Sequence, residues 1–359
     1  MEPFRENLKL LELISCPAYF VKDGVVDAVN SGAQNLLIAP GTCAASLIVT
    51  GKEDYETLAE GSCLSVTVET AETQFCAFVC RQDGYDLFLL DQEHDDPTQM
   101  ALCLASASFR TPLSRVINNI DSIRRYAKTL DSDTEKYLNE ISKGAYQILR
   151  LVTNMSDVIP YTQGTSACQA LDITSELREA TQKAAVLLES RNIRLEFSSS
   201  IPNTIVMANR EQLERALHNL ISNAATYASR TEEPRIHVSL RKANNRLYLT
   251  VSDNGQGIPD DVFSTLFSRY RRRPSLESCR YGIGLGLPLV RAVAAAHGGT
   301  VLVERLQPTG TRVTMSLAEI PYNENLVRSP RLTMDYASEF DHALVELSDI
   351  IPADFFGKM

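Results

Sequence analysis

Apolar positions change their period twice along this chain of 359 residues, and each change marks a different architecture. Up to about residue 92 the alternation is that of strands. Ala18–Val21 and Val25–Val29 flank the turn Lys22-Asp23-Gly24, Leu64–Val68 and Phe75–Val79 are two further apolar runs, and Tyr85–Leu90 follows Asp83-Gly84. A helical opening at Leu8–Ile14 and a short helical patch at Ala33–Leu37 complete this stretch. Asp95-Asp96-Pro97 then interrupts the chain and the period becomes helical. Leu113, Val116, Ile120, Ile123, Ala127 and Leu130 advance by alternating steps of three and four, as do Leu138, Ile141, Ala145, Ile148, Val152, Met155 and Ile159. Such steps place the side chains on one narrow seam of each helix. Ser132 with Glu135 has the spacing of a capping box, and Pro160 predicts the end of the second helix. The few residues around Asp131 make the pair an antiparallel hairpin. One hairpin cannot surround its own seam, so pairing with a second copy into a four-helix bundle, a homodimer through residues 95–160, is expected.

Past a polar linker, residues 161–169, helices and strands alternate again. Thr174–Glu189 and Glu211–Ala228 read as helices, Ile193, Leu195 and Phe197 as one face of a strand, and Arg235–Leu240 with Leu247–Val251 as a hairpin about Asn244-Asn245. Residues 170–320 therefore predict a layered α+β domain. In residues 321–359, Phe340, Ala343, Leu344, Leu347 and Ile351 repeat at helical spacing before Pro352, an amphipathic helix expected to pack on the preceding domain. With residues 1–94 as a small N-terminal α/β domain, the fold class is multidomain α+β.

Composition narrows the partners. The chain carries 35 Lys+Arg against 45 Asp+Glu, a formal charge of −10, which disfavours a broad nucleic-acid or membrane surface. No stretch reaches the ~18 apolar residues of a membrane span, and charges interrupt the segment where a signal peptide needs an apolar run. A cytoplasmic protein is expected, with no nucleic-acid and no membrane partner. Eight cysteines without a CxxC pair read as reduced, buried thiols rather than a metal site or disulfide framework. The five histidines are His94, His218, His237, His297 and His342, so residues 95–217 contain none.

Three clusters in residues 170–320 carry candidate chemistry. Asn219 and Asn223, four apart on a helix, share one face, and an amide oxygen is a neutral hard ligand suited to Mg²⁺ already carrying phosphate charge. Asp253-Asn254-Gly255-Gln256-Gly257-Ile258 follows a strand; its carboxylate can accept from an exocyclic amine, and its glycines let backbone approach a flat base. Gly282, Gly284 and Gly286 open a helical run, Pro288–Ala296, where exposed N–H groups suit phosphate. Taken singly, each also fits a solvated helix face or an ordinary tight turn. A Rossmann reading fails, because no strand immediately precedes the third cluster and no βαβ unit follows it.

The order of these clusters, completed by Thr309-Gly310-Thr311, strongly resembles the asparagine and glycine boxes of the GHKL ATP-binding fold, and Val262-Phe263 with Phe267–Arg271 resembles the phenylalanine box of histidine kinases. The resemblance implies ATP and Mg²⁺ as cofactors. By it, Asn223 coordinates the metal, Asp253 binds the adenine amine, Gly282, Gly284 and Gly286 wrap the phosphates, and Tyr227 lies beside them. Asn219, Gly255, Gly257, Ile258, Leu285 and Thr311 complete the implied ATP-binding set. Residues 258–281 become the lid over the nucleotide, with Arg269, Arg271, Arg272, Arg273 and Arg280 either solvated or touching phosphate. His297-Gly298-Gly299 reads as a structural turn. Thr226 departs from the family, which usually has a basic residue there.

Upstream, Ser106–Leu113 resembles the phosphoacceptor motif of the same family, with Arg110-Thr111-Pro112-Leu113 matching well. The reactive imidazole, however, falls on Ala107 and its acidic neighbour on Ser108. A methyl offers no nucleophile for a base to activate, so the family's ATP-dependent protein-histidine kinase reaction is blocked at its usual residue. Thr111 falls where related kinases orient a water to dephosphorylate a receiver domain; the alternative is that Thr111-Pro112 marks a helix kink. Asn219 stands where the gyrase- and chaperone-like members are expected to have a Glu base, and an amide cannot serve as one. The resemblance thus implies a two-component signalling protein that binds Mg·ATP, partners a response-regulator receiver domain, and acts as pseudokinase, receiver-binding regulator or phosphatase. Two alternatives stay open: a kinase using Ser106, Ser108 or a partner-chain acceptor, and the ATP-donating half of a heterodimer. The N-terminal strand order resembles a PAS-type sensor module, and equally fits another small α+β domain.

Overall fold

The computed structural model describes residues 11–12, 14, 16–70, 73–91, 97–127, 130–156, 168–228, 231–258, 286–320 and 341–357. Most of the expected opening helix lies outside them. The N-terminal segment contains β1 (Ala18–Lys22), β2 (Val25–Val29), α1 (Ser31–Asn35), α2 (Ala44–Leu47), β3 (Ile48–Thr50), α3 (Lys52–Glu56), β4 (Cys63–Glu69), β5 (Gln74–Gln82) and β6 (Tyr85–Asp91). Left-handed backbone at Asp23-Gly24 and Asp83-Gly84 closes two of its hairpins, the geometry that two-residue hairpin turns require. Asn30 fixes the start of α1: its Oδ1 accepts from the Ala33 N–H at 2.9 Å while its Nδ2 donates to the Cys16 carbonyl at 2.8 Å.

The hairpin is formed by α4 (Pro97–Tyr126) and α5 (Ser132–Ser156). Pro112 lies inside α4, so the acceptor-like motif sits in mid-helix and does not open it. The seams are also differently used than their spacing predicts. Ile120, Leu138, Ala145 and Val152 are buried, but Val116, Ile123, Ile141 and Ile148 are 42%, 47%, 51% and 48% exposed. Ile117, Tyr146 and Leu149, off the expected seams, are buried in the core shared with the next domain. Each helix therefore turns one flank to its own chain and leaves the other bare.

The following domain has β7 (Gln169–Asp172), α6 (Ile173–Glu189), β8 (Arg194–Ser199), β9 (Ile205–Ala208), α7 (Arg210–Ala228), β10 (Arg235–Ala243), β11 (Arg246–Asp253), α8 (Gly286–Ala296), β12 (Val301–Arg305) and β13 (Thr311–Ala318). Asp172 caps α6, accepting from the Thr174 and Ser175 N–H groups at 3.1 and 3.3 Å. Strands β7 and β9 form a small separate sheet, and the remaining strands join the N-terminal ones in the order β2-β1-β6-β5-β4-β12-β13-β11-β10-β8, with β3 beside β4. The joint is antiparallel pairing of Ser65, Leu64 and Cys63 with Val301, Leu302 and Val303. Thr300 Oγ1 donates to Asp54 Oδ2 at 2.6 Å. Arg291 Nη2 reaches Asp91 Oδ2 at 2.9 Å, with its guanidinium 4.8 Å from the centre of the Phe78 ring. The strands of the N-terminal segment and those of residues 170–320 thus share one sheet.

Residues 341–357 close the assembly. Helix α9 (His342–Leu347), capped by Asp341 through the Ala343 N–H at 2.8 Å, packs on α6, α7 and α5, and a 3₁₀ turn at Ala353–Gly357 brings Phe356 to 5.1 Å from the Tyr146 ring. The expected helix over Phe340–Ile351 is shorter, and it packs on the hairpin as well as on the preceding domain. Beneath it Arg150 contacts Glu346 at 3.1 Å, Asp349 at 2.6 Å and Ser222 Oγ at 3.0 Å, while Arg215 lies 3.9 Å from Glu346. These charges are nearly dry, so removing one partner strands the others. Glu346→Ala should therefore destabilise the protein by about 3–5 kcal/mol, read as a lower midpoint of chemical or thermal unfolding by circular dichroism.

Candidate nucleotide-binding site

Helix α7 is held between α6, α8 and the sheet by fully buried Leu213, Ala216, Leu217 and Ile221. Asn219 shares that buried environment. Its Nδ2 donates to the Arg215 carbonyl at 3.2 Å, whereas its Oδ1 is buried and has no hydrogen-bond partner among the described residues. A buried acceptor left unpaired costs about 1–3 kcal/mol, a cost that a cation or water at this position removes. Asn223, one turn further, is half-buried. Gly286, the first residue of α8, faces both: a Cβ there would lie 3.0 Å from Asn219 Oδ1 and 3.2 Å from Asn223 Nδ2. The two carboxamides accordingly line the N-terminal end of α8, where free N–H groups and the helix dipole favour negative charge.

The second cluster meets the far end of α7. Asp253, last residue of β11, is buried; its Oδ1 accepts from the Gly255 N–H at 2.8 Å, and Thr311 stands opposite it in the ladder. Burial pushes its carboxyl from an ordinary 3.8 up to about 6, against backbone hydrogen bonds from Gly255 and Thr311 that pull it down. Only glycine fits the two positions around it. A Cβ on Gly255 would lie 2.8 Å from Asp253 Oδ1 and 2.9 Å from the Tyr227 carbonyl oxygen, and one on Gly310, at φ +117°, would lie 2.2 Å from the Asp253 carbonyl. The Tyr227 side chain is exposed, so it is the backbone of Tyr227 that meets the turn. Gly257 adopts φ +74°, and Ile258 packs on the main core.

Some anchoring residues carry no signal in spacing. Asn254 ties the turn to the start of the adjacent strand β10, its Oδ1 accepting from the Arg235 N–H at 2.9 Å and its Nδ2 donating to the Glu233 carbonyl at 2.7 Å. Its place inside the Asp-Asn-Gly run was the available clue. His297 is structural, as expected: its Nδ1 lies 2.8 Å from the Val293 carbonyl and its Nε2 accepts from the Asn209 N–H at 3.1 Å. Thr226 turns inward, donating to the Ser222 carbonyl at 2.8 Å. Asn219, Asn223, Asp253, Gly255, Gly286 and Thr311 are thus gathered around α7, whereas Gly282, Gly284, Leu285 and the lid arginines lie outside the described residues. In α4, Ser106 is buried, and Ser108 and Thr111 are exposed.

The raised Asp253 carboxyl makes a pH prediction. The folded state binds its proton more tightly than the unfolded chain, so the stabilisation is full below 3.8 and is lost as pH rises through about 6. Denaturation across that range should show the native protein losing stability relative to Asp253→Asn, with parallel curves counting against it. Gly310→Ala should lower the unfolding midpoint more than Gly255→Ala, since its Cβ would lie 2.2 Å from a backbone oxygen against 2.8 Å for the nearest atom at Gly255.

Residues 208–321 match the family model described as Histidine kinase-, DNA gyrase B-, and HSP90-like ATPase, a span that contains every nucleotide-site residue named above but not the acceptor-like motif of α4. Among relatives, the sensor histidine kinase YkoH of Bacillus subtilis is 27% identical over 236 residues, 65% of this chain and 50% of that protein. The sensor protein KdpD of Escherichia coli is 29% identical over 210 residues, 58% of this chain and 23% of KdpD. The chain spans half or less of the length of these curated relatives. In fold, the crystal structure of full-length ShkA in complex with AMPPNP superposes with a TM-score of 0.50 at 20% identity, covering 62% of this chain and 46% of that one. No helix among the described residues is long and apolar enough to cross a membrane. Residues 208–321 are thus an ATPase domain of the histidine kinase-, DNA gyrase B- and HSP90-like type, and the relatives of the chain are sensor histidine kinases.

Proposed function

We propose that the chain binds Mg·ATP between α7, the Asp253–Gly257 turn and the start of α8, and signals without phosphorylating itself at the family's usual residue. The observation that carries this reading is the buried Asn219 Oδ1, without a hydrogen-bond partner among the described residues, facing the glycine-bearing start of α8. The donor set fits the group: two carboxamide oxygens for a hard cation, a buried carboxyl for an amine, and helix N–H groups for phosphate. Asp253 in its charged form accepts from the adenine amine, held in place by the Gly255 N–H. Asn219 and Asn223 present amide oxygens to the metal without adding negative charge beside the phosphates. Mg·ATP, when bound, supplies an activated phosphoryl group. The ShkA structure was determined with AMPPNP, an ATP analogue, which supports the same ligand here.

The acceptor position, Ala107, lies in α4 and offers no nucleophile. Exposed Thr111 remains available to orient water against a receiver-domain phosphate, and a response-regulator receiver is the partner we assign. Burial of Ser106 disfavours it as an acceptor, leaving exposed Ser108 as the serine of this motif that a kinase reading could use. The outward flank of the hairpin supports a homodimer: Phe109, Val116 and Ile123 recur every seven residues on α4, and Ile141 and Ile148 do so on α5. The order β2-β1-β6-β5-β4 of the N-terminal strands supports a PAS-type sensor role for residues 1–94.

Titration with a fluorescent ATP analogue and Mg²⁺ should give saturable binding that Asp253→Ala weakens by about ten- to a hundred-fold, the loss of one hydrogen bond to a charged group. Unchanged affinity in that variant would sink the site assignment. Incubation with γ-labelled ATP should leave the chain unlabelled; acid-stable label on Ser108 would instead establish a serine kinase, and label only on an added relative a heterodimer. The Val116→Glu, Ile148→Glu double variant should elute as a monomer in light-scattering chromatography where the native chain is a dimer.

A further inference from the structure

The strands β4 and β5 present different chemistry on their two faces. Leu64, Val66, Ala77 and Val79 point into the N-terminal segment's own core. Cys63 and Phe78 belong instead to the core shared with the hairpin and the ATPase domain, with Cys80 packed against it. On that face Cys63 and Cys80 stand directly opposite each other in the ladder, with their Sγ atoms 2.9 Å apart. The neighbouring pair is joined by the Arg81 N–H donating to the Ser62 carbonyl at 3.1 Å, which puts the two cysteines at a non-hydrogen-bonded position. There Cα atoms approach to about 4.5 Å, inside the span a disulfide bridges without backbone movement. Cys63 has a second neighbour: across its other edge it pairs with Val303 of β12.

We propose that Cys63 and Cys80 are a redox dithiol that a peroxide closes to a disulfide, fixing the joint between the N-terminal segment and the ATPase domain. The roles of the two sulfurs differ. Cys63 is 1% exposed, and its hydrogen bond with Cys80 together with burial holds its thiol well above the ordinary range. Cys80 is half-buried and reaches solvent. Its thiolate attacks one peroxide oxygen, breaking the O–O bond, so that Cys80 becomes a sulfenic acid and the peroxide leaves as an alcohol or water. The Cys63 sulfur then attacks the Cys80 sulfur, and its proton leaves with the displaced hydroxyl as water. Two thiols lose two electrons and two protons, and the peroxide gains both. A dithiol reductant reverses the sequence by exchange. The bond pins the first residue of β4 to β5, and that residue is also the last rung of the β4–β12 ladder, so opening of the joint is suppressed.

The test uses the whole chain treated with hydrogen peroxide, free thiols alkylated, and the peptides mapped by mass spectrometry. A Cys63–Cys80 link that dithiothreitol removes is expected, and Cys63→Ser should leave a sulfenic acid on Cys80 that dimedone traps. Cys80→Ser, at the less buried partner, should abolish both. Amide exchange at Val301–Val303 should slow on oxidation of the native chain and stay unchanged in either serine variant. Full alkylation of both cysteines after peroxide, linkage through Cys76 or Cys168, or exchange at the joint insensitive to oxidation would each overturn the proposal. None of these readouts depends on nucleotide binding, so its failure is distinct from that of the ATP site.

Discussion

An uncovered edge strand is an open row of N–H and C=O groups, and the ATPase domain ends its sheet on one, β12. In this chain β4 covers it, and from that pairing follow the continuity of the sheet and the position of the N-terminal segment. The pairing is short. Three residue pairs contribute only about 1 kcal/mol per net hydrogen bond, so the joint depends also on Phe78 and Arg291 packed across it and on the Thr300–Asp54 contact. A joint of this size holds two bodies in one orientation yet opens for a few kcal/mol, the scale on which ligands shift conformational equilibria.

The site itself is held in a costly state before anything binds. Asn219 Oδ1 is buried without a donor among the described residues, Asp253 is kept from water with its carboxyl pushed upward, and Gly310 allows one backbone to approach another more closely than a side chain would permit. The surrounding core, with Leu213, Leu217 and Ile221 fully buried on α7, offsets that cost. Buried polar groups arranged in this way are worth more to a ligand than the same groups in water.

Much of this was legible in the sequence because it is local. Asp-Gly and Asn-Asn pairs mark the turns that the left-handed backbone then takes, and the spacing of Asn219 and Asn223 alone puts both on one face. The segment 44–56 was missed because its elements run only four, three and five residues, too short for a period to show. The hairpin seams misled for another reason: a helix that packs on two partners buries two flanks, so Ile117 and Leu149 are inside while Ile123 and Ile148 are outside. The β4–β12 joint leaves no trace in either strand, since edge pairing between segments more than two hundred residues apart is carried by backbone, not side-chain pattern. The absence of histidine from residues 95–217 was the reverse case, fully readable without coordinates.

The contacts of Arg150 bear on the order in which the molecule can assemble. Its carboxylate partners, Glu346 and Asp349, lie almost two hundred residues later. During synthesis the hairpin and most of the ATPase domain emerge before either exists, leaving two guanidinium groups, Arg150 and Arg215, without the carboxylate that both contact in the folded chain. Such late, distant pairings slow folding, and here they delay it at a chosen point. Until α9 has emerged, the guanidinium groups that the hairpin and α7 bury lack their carboxylates, which raises the cost of closing one onto the other.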